Sequence, residues 1–420
     1  MSNATIHRAK NRLPLYQTNP HIGRVVIILA LGTFAIGVTE FAMMGLMQEA
    51  VADLGVPLPS GGQLVSAYAM GAVIGGPILS ILCAKVERRR LLLILLGLFA
   101  VGHVISLIAP NLQTLIAGRF LSGIPHGAYI ATAALLVGGL VNPGKRAQAV
   151  SWILAGLTVA NVVGVPAVTW LGQLAGWRWM FGIALIVAVV TLVSTLLWVP
   201  QQQPPATSSI RTEFSGLASG RLWAAILLAV LGFSGMFALY AYVSPVLTQV
   251  AGLPEAALPF VLGLYGVGMV IGTFIGGWAA DRSVLGTIFG GLIMLFASLA
   301  LFAVTAHILP LAIVFLVFVG ISGTALSPAM QTHLVDCTPH APQLSSALNH
   351  SAFNLANAFG AWAGGILLSQ GWGLRAPSAL GATTALLGAV AIGVFLLLSF
   401  VRRRKSSALS STTSTFSEDV

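Results

Sequence analysis

Apolar segments of about 20 residues recur along almost the whole chain and exclude a soluble globular fold. A helix needs about 20 apolar residues to cross the hydrocarbon core of a bilayer. Only 7% of the residues are charged and 57% are hydrophobic, whereas soluble domains contain about 25% charged residues. We therefore expect an all-α integral membrane protein. The pattern predicts twelve helices, numbered spans 1 to 12: 25–47, 62–84, 91–109, 112–140, 148–174, 179–199, 222–249, 258–280, 285–304, 309–330, 345–369 and 377–400.

One long polar segment divides these spans into two groups of six. Residues 201–221 are mostly polar and rich in Pro and Ser, a composition typical of a linker. We expect an N-terminal segment at 1–24, a first half at 25–200 and a second half at 222–400. The tail at 401–420 is low in apolar residues and is expected to be disordered.

The basic residues are distributed unevenly about the spans and predict an orientation. If the N-terminus is cytoplasmic, the outer loops contain only Arg178 and Arg375, and Arg119 lies inside span 4. All the other basic residues then lie in the cytoplasm, which is the bias that membrane proteins show. The net charge of +10 therefore reflects topology in the lipid bilayer, with both termini cytoplasmic, and indicates no nucleic-acid partner.

The two halves repeat one another in sequence. Three pairs of spans match in register, which membrane composition alone does not explain. A parallel repeat of two six-helix halves is the arrangement of alternating-access carriers, which bind their substrate between the halves near the middle of the membrane. The repeated motifs are Tyr-x-x-Gly-x-Val-Ile-Gly at 68–75 and 265–272, Gly-Ile at 123–124 and 320–321, and Ala-Asn-x-x-Gly at 160–164 and 356–360.

Two ionisable residues, Glu40 in span 1 and Arg119 in span 4, lie deep inside apolar segments. Charged groups inside a membrane are costly and are usually functional. Both residues lie about 10 Å below the outer boundary at 1.5 Å per helical residue. The matching depth predicts a proton-coupling pair, and a permanent structural ion pair is the alternative. The equivalent positions of the second half are apolar, so proton coupling would belong to the first half.

Several polar side chains are predicted to face a cavity between the halves. Amides and phenols there suit a neutral polyhydroxyl or amphipathic solute, although each one singly is more often a helix–helix hydrogen bond. For His126, which follows Pro125, a functional role and a bond to a loosened carbonyl stay equally open. His103 in span 3 is interpreted as structural. The cavity candidates are Tyr68, His126, Asn161, Tyr240, Tyr242, Asn354 and Asn357.

Span 5 combines small residues on one helix face with a proline in mid-span. Such a face allows a second backbone to approach closely, and the proline removes a backbone donor. The span is either a moving seal or an ordinary Gly/Pro-rich membrane helix. Span 8 carries a second face of this kind. The residues are Gly156, Gly164, Pro166 and Gly172 on span 5, and Gly268, Gly272 and Gly276 on span 8.

Charged residues at the cytoplasmic ends of spans 2 and 8 predict a gate. Asp281 and Arg282 follow span 8, and Arg88 and Arg89 lie in the basic loop after span 2. Elsewhere the chain has no convergent His, Asp and Glu set at one depth, so we expect no metal centre, no cofactor and no enzymatic activity. The two cysteines, Cys83 and Cys337, provide no disulfide or metal framework.

Several motifs together resemble the major facilitator superfamily. The basic loop and Asp281-Arg282 resemble its cytoplasmic loop motif, and Leu115-x-x-x-Arg119-x-x-x-Gly123 resembles its helix 4 motif. Residues 156–172 resemble the helix 5 motif of drug:proton antiporters, with the proline shifted to 166. Gly118-Arg-Phe-Leu-Ser-Gly-Ile-Pro-His126 and Phe353-Asn-Leu-Ala-Asn357 are similar to the bacterial arabinose-efflux permease and sugar-efflux group.

The resemblance implies twelve helices in two pseudo-symmetric halves, in a bacterial inner membrane, and a chain that works as a monomer. It also implies a proton-driven antiporter that exports a sugar or related polar compound by alternating access, with Glu40 and Arg119 as coupling residues. The small-residue face of span 5 would pack on span 8 to close the outer side. The alternatives are a multidrug or chloramphenicol-type exporter, and a uniporter with a structural Glu40–Arg119 pair.

Overall fold

The computed structural model describes residues 21–83, 85–202, 219–337 and 342–415, and the regular structure in these ranges is entirely helical. Within these ranges, twelve long helices follow one another. The first six are α1 Ile22–Gly45, α2 Gly61–Leu82, α3 Arg88–Leu107, α4 Leu112–Gly123 with His126–Leu140, α5 Arg146–Val159 with Ala160–Gly164 and Val165–Ala175, and α6 Trp179–Trp198. The second six are α7 Gly220–Ala241 with Val243–Pro245 and Val246–Val250, α8 Leu258–Ala280, α9 Val284–Thr305, α10 Leu309–Cys337, α11 Pro342–Ser369 and α12 Ala376–Thr415.

Eleven of these helices, within the described ranges, are long and apolar enough to cross a membrane. The remaining one, α11, is long but carries Asn349, His350, Asn354 and Asn357. It packs along α2 and α7, so protein rather than lipid surrounds much of it. The prediction of an all-α membrane fold is confirmed, and α11 differs from the other predicted spans in its polar content.

The segments predicted at the ends of the halves fall partly outside the described residues. This applies to 1–20 of the N-terminal segment and to 203–218 of the linker. At the other end, α12 continues to Thr415, whereas the sequence predicts disorder from residue 401. Extending an existing helix costs much less than nucleating a new one, so α12 continues into a polar tail.

Two helices of the first half are interrupted at prolines. The two parts of α4 are separated by Ile124 and Pro125. In α5, one π-helical turn at Ala160–Gly164 ends two residues before Pro166. Proline lacks a backbone donor, and a π turn changes the local hydrogen-bond pattern. The mid-span proline of α5 is therefore accommodated without ending the helix.

The sequence repeat is present in the packing of α2 on α4 and of α8 on α10. A Cβ added at Gly75 would lie 2.1 Å from the Ile124 carbonyl oxygen, and one added at Gly272 would lie 2.1 Å from the Ile321 carbonyl oxygen. The two contacts are related by one offset of 197 residues (75 to 272, 124 to 321). The duplicated glycines thus hold the same helix pair at backbone contact in both halves. The same relation holds for Gly123 with Tyr68 and for Gly320 with Tyr265.

The two halves share an apolar core on one face of the bundle. We define the predicted outer face as the face where α1 ends and α2 begins. There, buried residues of both halves join one cluster, among them Met47, Val168 and Leu262. The second cluster contains first-half residues such as Leu92 and Ala149. The halves therefore meet closely at the predicted outer face.

The paired glycine contacts predict that alanine destabilises both halves. Gly75→Ala and Gly272→Ala should each lower the free energy of unfolding by about 1–3 kcal/mol, because the added Cβ forces backbone to shift. Thermal unfolding of the purified protein in detergent measures the loss. Gly97→Ala is the control, since a Cβ there meets nothing within 4 Å. An equal loss of stability in all three variants would contradict the role of Gly75 and Gly272 in holding helices at backbone contact.

Candidate functional site

Glu40 lies inside the bundle where the first half meets the second. It is on α1, is only 3% exposed, and precedes Phe41, which is also buried. Its Oε1 accepts a hydrogen bond from Nδ2 of Asn357 on α11 at 3.5 Å. The carboxyl group therefore belongs to one half and has a polar partner in the other.

Arg119 is completely buried on α4 and is held by backbone carbonyl groups of two neighbouring helices. Its Nη1 donates to the Thr39 carbonyl oxygen at 2.9 Å, and its Nε donates to the Leu64 carbonyl oxygen at 3.2 Å. Its Nη2 has no hydrogen-bond partner among the described residues. The guanidinium carbon lies 4.4 Å from the ring centre of Tyr68, a cation–π distance.

Glu40 and Arg119 interact electrostatically but do not form an ion pair. An ion pair does form between Arg178 and Asp53, at the predicted outer face. The two buried charges are near each other, as their matching depth suggests. The guanidinium is nevertheless held by carbonyl oxygens and not by the carboxylate.

Thr39 and His103 belong to the same polar group, although neither is predicted from the sequence to have a functional role. Nε2 of His103 lies 2.9 Å from Oγ1 of Thr39, and its Nδ1 lies 2.7 Å from the Phe99 carbonyl oxygen. A carbonyl can only accept, so Nδ1 donates, and in the neutral ring Nε2 accepts from the threonine hydroxyl. His103 therefore supports the residue whose carbonyl binds Arg119. In the sequence, His103 is marked only by being a histidine inside an apolar span.

Tyr68 connects Arg119 to His126. Its hydroxyl lies 3.1 Å from Nδ1 of His126, and the two rings pack edge to face with centres 5.8 Å apart. His126 begins the second part of α4, so the break at Pro125 positions this histidine. His350 of α11 faces it from the second half.

Aromatic side chains of both halves pack beside Glu40. Tyr240 stacks on Tyr265 with ring centres 4.2 Å apart, and it meets Phe41 edge to face at 5.9 Å. Phe237 contacts both Phe41 and Phe353. Of the predicted cavity residues, Tyr240 therefore lies at this junction. We call the five residues Phe41, Phe237, Tyr240, Tyr265 and Phe353 the aromatic cluster.

Two predicted cavity residues bond elsewhere. Tyr242 donates its hydroxyl to the Ala361 carbonyl oxygen of α11 at 2.9 Å, within the second half near the predicted outer face. Asn161 is half-buried and donates to the Leu157 carbonyl oxygen of its own helix at 3.1 Å. Neither contact is to the Glu40 site, and a place for these two residues in the substrate cavity stays a prediction.

Asn354 and Asn357 of α11 are both buried. Asn354 donates to the His350 carbonyl oxygen at 3.0 Å, and Asn357 donates to Glu40. The Oδ1 atoms of both amides have no partner among the described residues. These acceptors, together with Nη2 of Arg119, are available to a bound polar molecule.

The small residues of α5 pack on α1, and the prediction that they pack on α8 is wrong. Added Cβ atoms would lie 2.2 Å from the Ala30 carbonyl oxygen at Gly156 and 2.5 Å from Val38 Cγ2 at Gly164. Gly172 faces Leu46 in the same way. Gly268, Gly272 and Gly276 face Val317, Ile321 and Ala325 of α10. Periodicity identifies residues on one face, but it does not identify the neighbouring helix.

Helices α5 and α8 do meet, through other residues. A Cβ at Gly266 would lie 2.4 Å from the Asn161 carbonyl oxygen, and one at Gly263 would lie 3.3 Å from Pro166 Cγ. The π turn and its proline therefore form the contact between α5 and α8. Beyond it, Gln173 donates to the Glu255 carbonyl oxygen at 3.2 Å.

Hydrogen bonds from Gln48 close the predicted outer face. This residue lies in the short helix Met47–Asp53 after α1. Its Nε2 donates to Ser244 Oγ at 2.7 Å and to Thr248 Oγ1 at 3.1 Å, and its Oε1 accepts from Gln249 Nε2 at 2.7 Å. All three partners belong to the second half. Nothing in the sequence marks Gln48 as a functional residue, because a glutamine near a loop is common.

The predicted cytoplasmic charge lock is not formed between the described residues. Arg282 donates to the Trp278 carbonyl oxygen at 2.7 Å, and Asp281 has no ion pair within the described ranges. Arg88 donates to Oε1 of Gln202 at 3.2 Å. Both arginines thus bond within their own half, since the halves meet closely on the opposite face. Arg89 likewise donates to the Leu196 carbonyl oxygen.

Glu87, before α3, organises the basic loop. It accepts backbone N–H bonds from Arg89 at 2.9 Å, Arg90 at 2.8 Å and Gln202 at 3.0 Å. Burial raises the pKa of this carboxyl, but the hydrogen bonds from Gln202, Arg90 and Arg89 together hold the pKa below its usual value. The loop is therefore attached to the segment that follows α6.

Comparison with known proteins identifies the family. The Major Facilitator Superfamily model matches residues 29–309 and 257–418. The Escherichia coli inner membrane transport protein YdhP is 37% identical over 380 residues, which are 90% of this chain and 96% of that protein. This chain belongs to the major facilitator superfamily. It is therefore a membrane transporter by family and fold, and the resemblance stated from its motifs is confirmed.

Other relatives in the superfamily have named cargoes. A chloramphenicol resistance protein of Streptomyces lividans is 30% identical, covering 89% of this chain and 94% of the relative. A probable sugar efflux transporter of Helicobacter acinonychis is 27% identical, covering 82% and 88%. Among solved structures, the Escherichia coli xylose transporter XylE in a partially occluded inward-open conformation gives a TM-score of 0.71 at 16% identity, covering 89% of this chain and 98% of that one. At that identity the likeness shows the fold alone.

The Gln48 contacts predict that this residue keeps the predicted outer face closed. Gln48→Ala should raise amide hydrogen exchange in Met47–Asp53 and Val246–Val250 about tenfold or more, because three hydrogen bonds between the halves are lost. Exchange measured by mass spectrometry on the detergent-solubilised protein tests this. Gln202→Ala removes side-chain bonds at the other face and is the control; the same exchange at the outer face in both variants would contradict the role of Gln48.

Proposed function

We propose that this transporter is a proton-coupled antiporter that exports a small organic solute, a sugar or a related polar compound, by alternating access. The observation that carries the proposal is Glu40, a buried carboxyl of the first half that faces Asn357 of the second. A titratable group at this contact changes its surroundings whenever the halves rock. Its protonation is then linked to the side toward which the cavity opens.

Arg119 supports proton coupling because it is close to Glu40 without pairing with it. In a uniporter with a permanent structural pair, the guanidinium and the carboxylate would satisfy each other. Here carbonyl oxygens of Thr39 and Leu64 bind the guanidinium, and Glu40 is left to exchange its proton. The fixed positive charge and the proton then compete for one carboxylate.

The proposed cycle follows from this competition. With the cavity open to the cytoplasm, cargo binds between the halves while Glu40 releases its proton. Rocking of the halves then exposes Glu40 to the outside, where protonation displaces the cargo. The protonated carrier returns, and the inward proton gradient drives export without any cofactor.

Buried polar atoms without partners favour a polar cargo. Nη2 of Arg119, Oη of Tyr265, and Oδ1 of Asn354 and Asn357 have no hydrogen-bond partner among the described residues. Such atoms are costly inside a protein. Hydroxyl groups of a sugar would satisfy both donors and acceptors, and the probable sugar efflux relative supports this class of cargo.

The aromatic cluster favours a second candidate, a chloramphenicol-type or multidrug exporter. Its five rings pack against one another beside Glu40 and offer apolar surface to an amphipathic compound. The chloramphenicol resistance relative of Streptomyces lividans supports this candidate. The two cargo classes therefore need to be compared in one experiment.

We infer a multi-pass protein of the bacterial inner membrane, as the name of the Escherichia coli relative suggests. The uneven distribution of basic residues supports cytoplasmic termini. The transporter is proposed to act as a monomer, since both six-helix halves belong to one chain.

Transport by reconstituted protein tests the proposal. Proteoliposomes with wild type or Glu40→Gln are supplied with a sugar such as arabinose or with chloramphenicol, with and without an imposed pH gradient. Wild type should move one compound uphill only with the gradient. Glu40→Gln should merely equilibrate it, because an amide cannot exchange the proton. Glu255→Gln changes an exposed glutamate and is the matched control.

Three outcomes separate the candidates. Gradient-driven uphill transport of arabinose supports the polar-cargo antiporter, and uphill transport of chloramphenicol alone supports the drug exporter. Flux that ignores both the gradient and Glu40→Gln would make Glu40 structural and would identify a uniporter. The control should transport like wild type in every case.

A further inference from the structure

Asn357 and Glu40 make a side-chain contact between the two halves inside the bundle. Nδ2 of Asn357 donates to Oε1 of Glu40 at 3.5 Å, and the two side chains are 1% and 3% exposed. Helix α1 carries the carboxyl and helix α11 carries the amide. The distance is at the long end for such a bond, so a small separation of the halves would break it.

The other charged or titratable side chains that face Glu40 move together with it. They are Arg119 on α4 and Tyr68 on α2, and both belong to the first half. Asn357 is the polar partner that the second half contributes among the described residues. When the halves rock as rigid bodies, Glu40 keeps its first-half neighbours and loses this amide.

The amide of Asn357 discriminates between the two charge states of Glu40. A hydrogen bond to an ionised carboxylate is stronger than one to a neutral carboxyl. The Oδ1 atom of Asn357 is buried without a partner in the described structure, so the amide also offers an acceptor to the hydroxyl of a bound cargo. Ionised Glu40 and polar cargo therefore act on one amide through different atoms, Nδ2 for the carboxylate and Oδ1 for the cargo.

We propose that Asn357 is a positioning residue that keeps the outer face closed while Glu40 is ionised and the cavity is empty. Binding of cargo draws the amide away from the carboxylate and allows the halves to rock. Protonation of Glu40 weakens the contact in the same way. This inference rests on the proposed proton-coupled function and adds the group that prevents the empty, ionised carrier from changing state.

The contact has a consequence for proton leak. A carrier that brings a proton inward and returns ionised without cargo would dissipate the gradient. In wild type the Glu40–Asn357 bond opposes that return. Removing the amide should open a leak that still passes through Glu40.

Proton flux into proteoliposomes without cargo tests the inference, with an internal pH-sensitive dye as the readout. Asn357→Leu should raise the leak about threefold or more, the effect of losing one long hydrogen bond. Asn357→Gln, which keeps an amide, should leak less than Asn357→Leu. The double variant Glu40→Gln with Asn357→Leu should be as tight as wild type. Ser298→Ala removes a buried hydroxyl within α9 and is the control.

Each result either supports or overturns the role proposed for Asn357. A leak that Glu40→Gln abolishes supports the inference. A tight Asn357→Leu variant, or a leak that persists in the double variant, overturns it. If Asn357→Leu does not elute as a folded protein, Asn357→Ser carries the same prediction. Failure of the proposed function is recognised separately, because wild type itself would then show no gradient-driven transport of cargo.

Discussion

The burial of the Arg119 guanidinium is the constraint around which the first half is arranged. A charge with no exposed surface must find its partners inside the protein, and lipid provides none. Backbone carbonyl oxygens of α1 and α2 supply two hydrogen bonds, and the Tyr68 ring covers the cation. Three helices are thereby held at defined positions beside Glu40, and His103 supports the α1 residue Thr39 from α3.

The second half keeps the scaffold of the first but not its charge. Tyr265 and Gly272 occupy the positions equivalent to Tyr68 and Gly75 and make the same backbone contacts with α10. Leu316, fully buried, stands where the first half has Arg119. Tyr265 stacks on Tyr240 instead of covering a cation. The same helix packing therefore supports a buried charged group in the first half and aromatic and amide side chains in the second.

Sequence reasoning located the charged part of the site because charge is rare and costly in apolar spans. Glu40 and Arg119 could be selected on that ground, and matching depth suggested that they are neighbours. Sequence reasoning did not predict that Arg119 would donate to backbone carbonyl oxygens. Every residue carries a carbonyl group, so no residue type marks the one that accepts. The hydrogen-bond partners of Asn161 and Tyr242 could not be predicted for a related reason. Each amide or phenol has several acceptors within reach, and the choice among them depends on side-chain direction.

The sequence by itself determined the membrane class, the two-half repeat and the family, since these follow from apolar length, from a fixed offset between motifs and from the motifs themselves. Only the tertiary structure decided which helix each small-residue face meets. Gly156 and Gly164 contact α1, whereas the contact of α5 with α8 is made by the π turn and Gly266. Helical periodicity places residues on a common face. Which helix that face contacts depends on how all the helices of the bundle pack together. The Glu40–Asn357 contact is of the same kind, since it joins residues more than 300 positions apart.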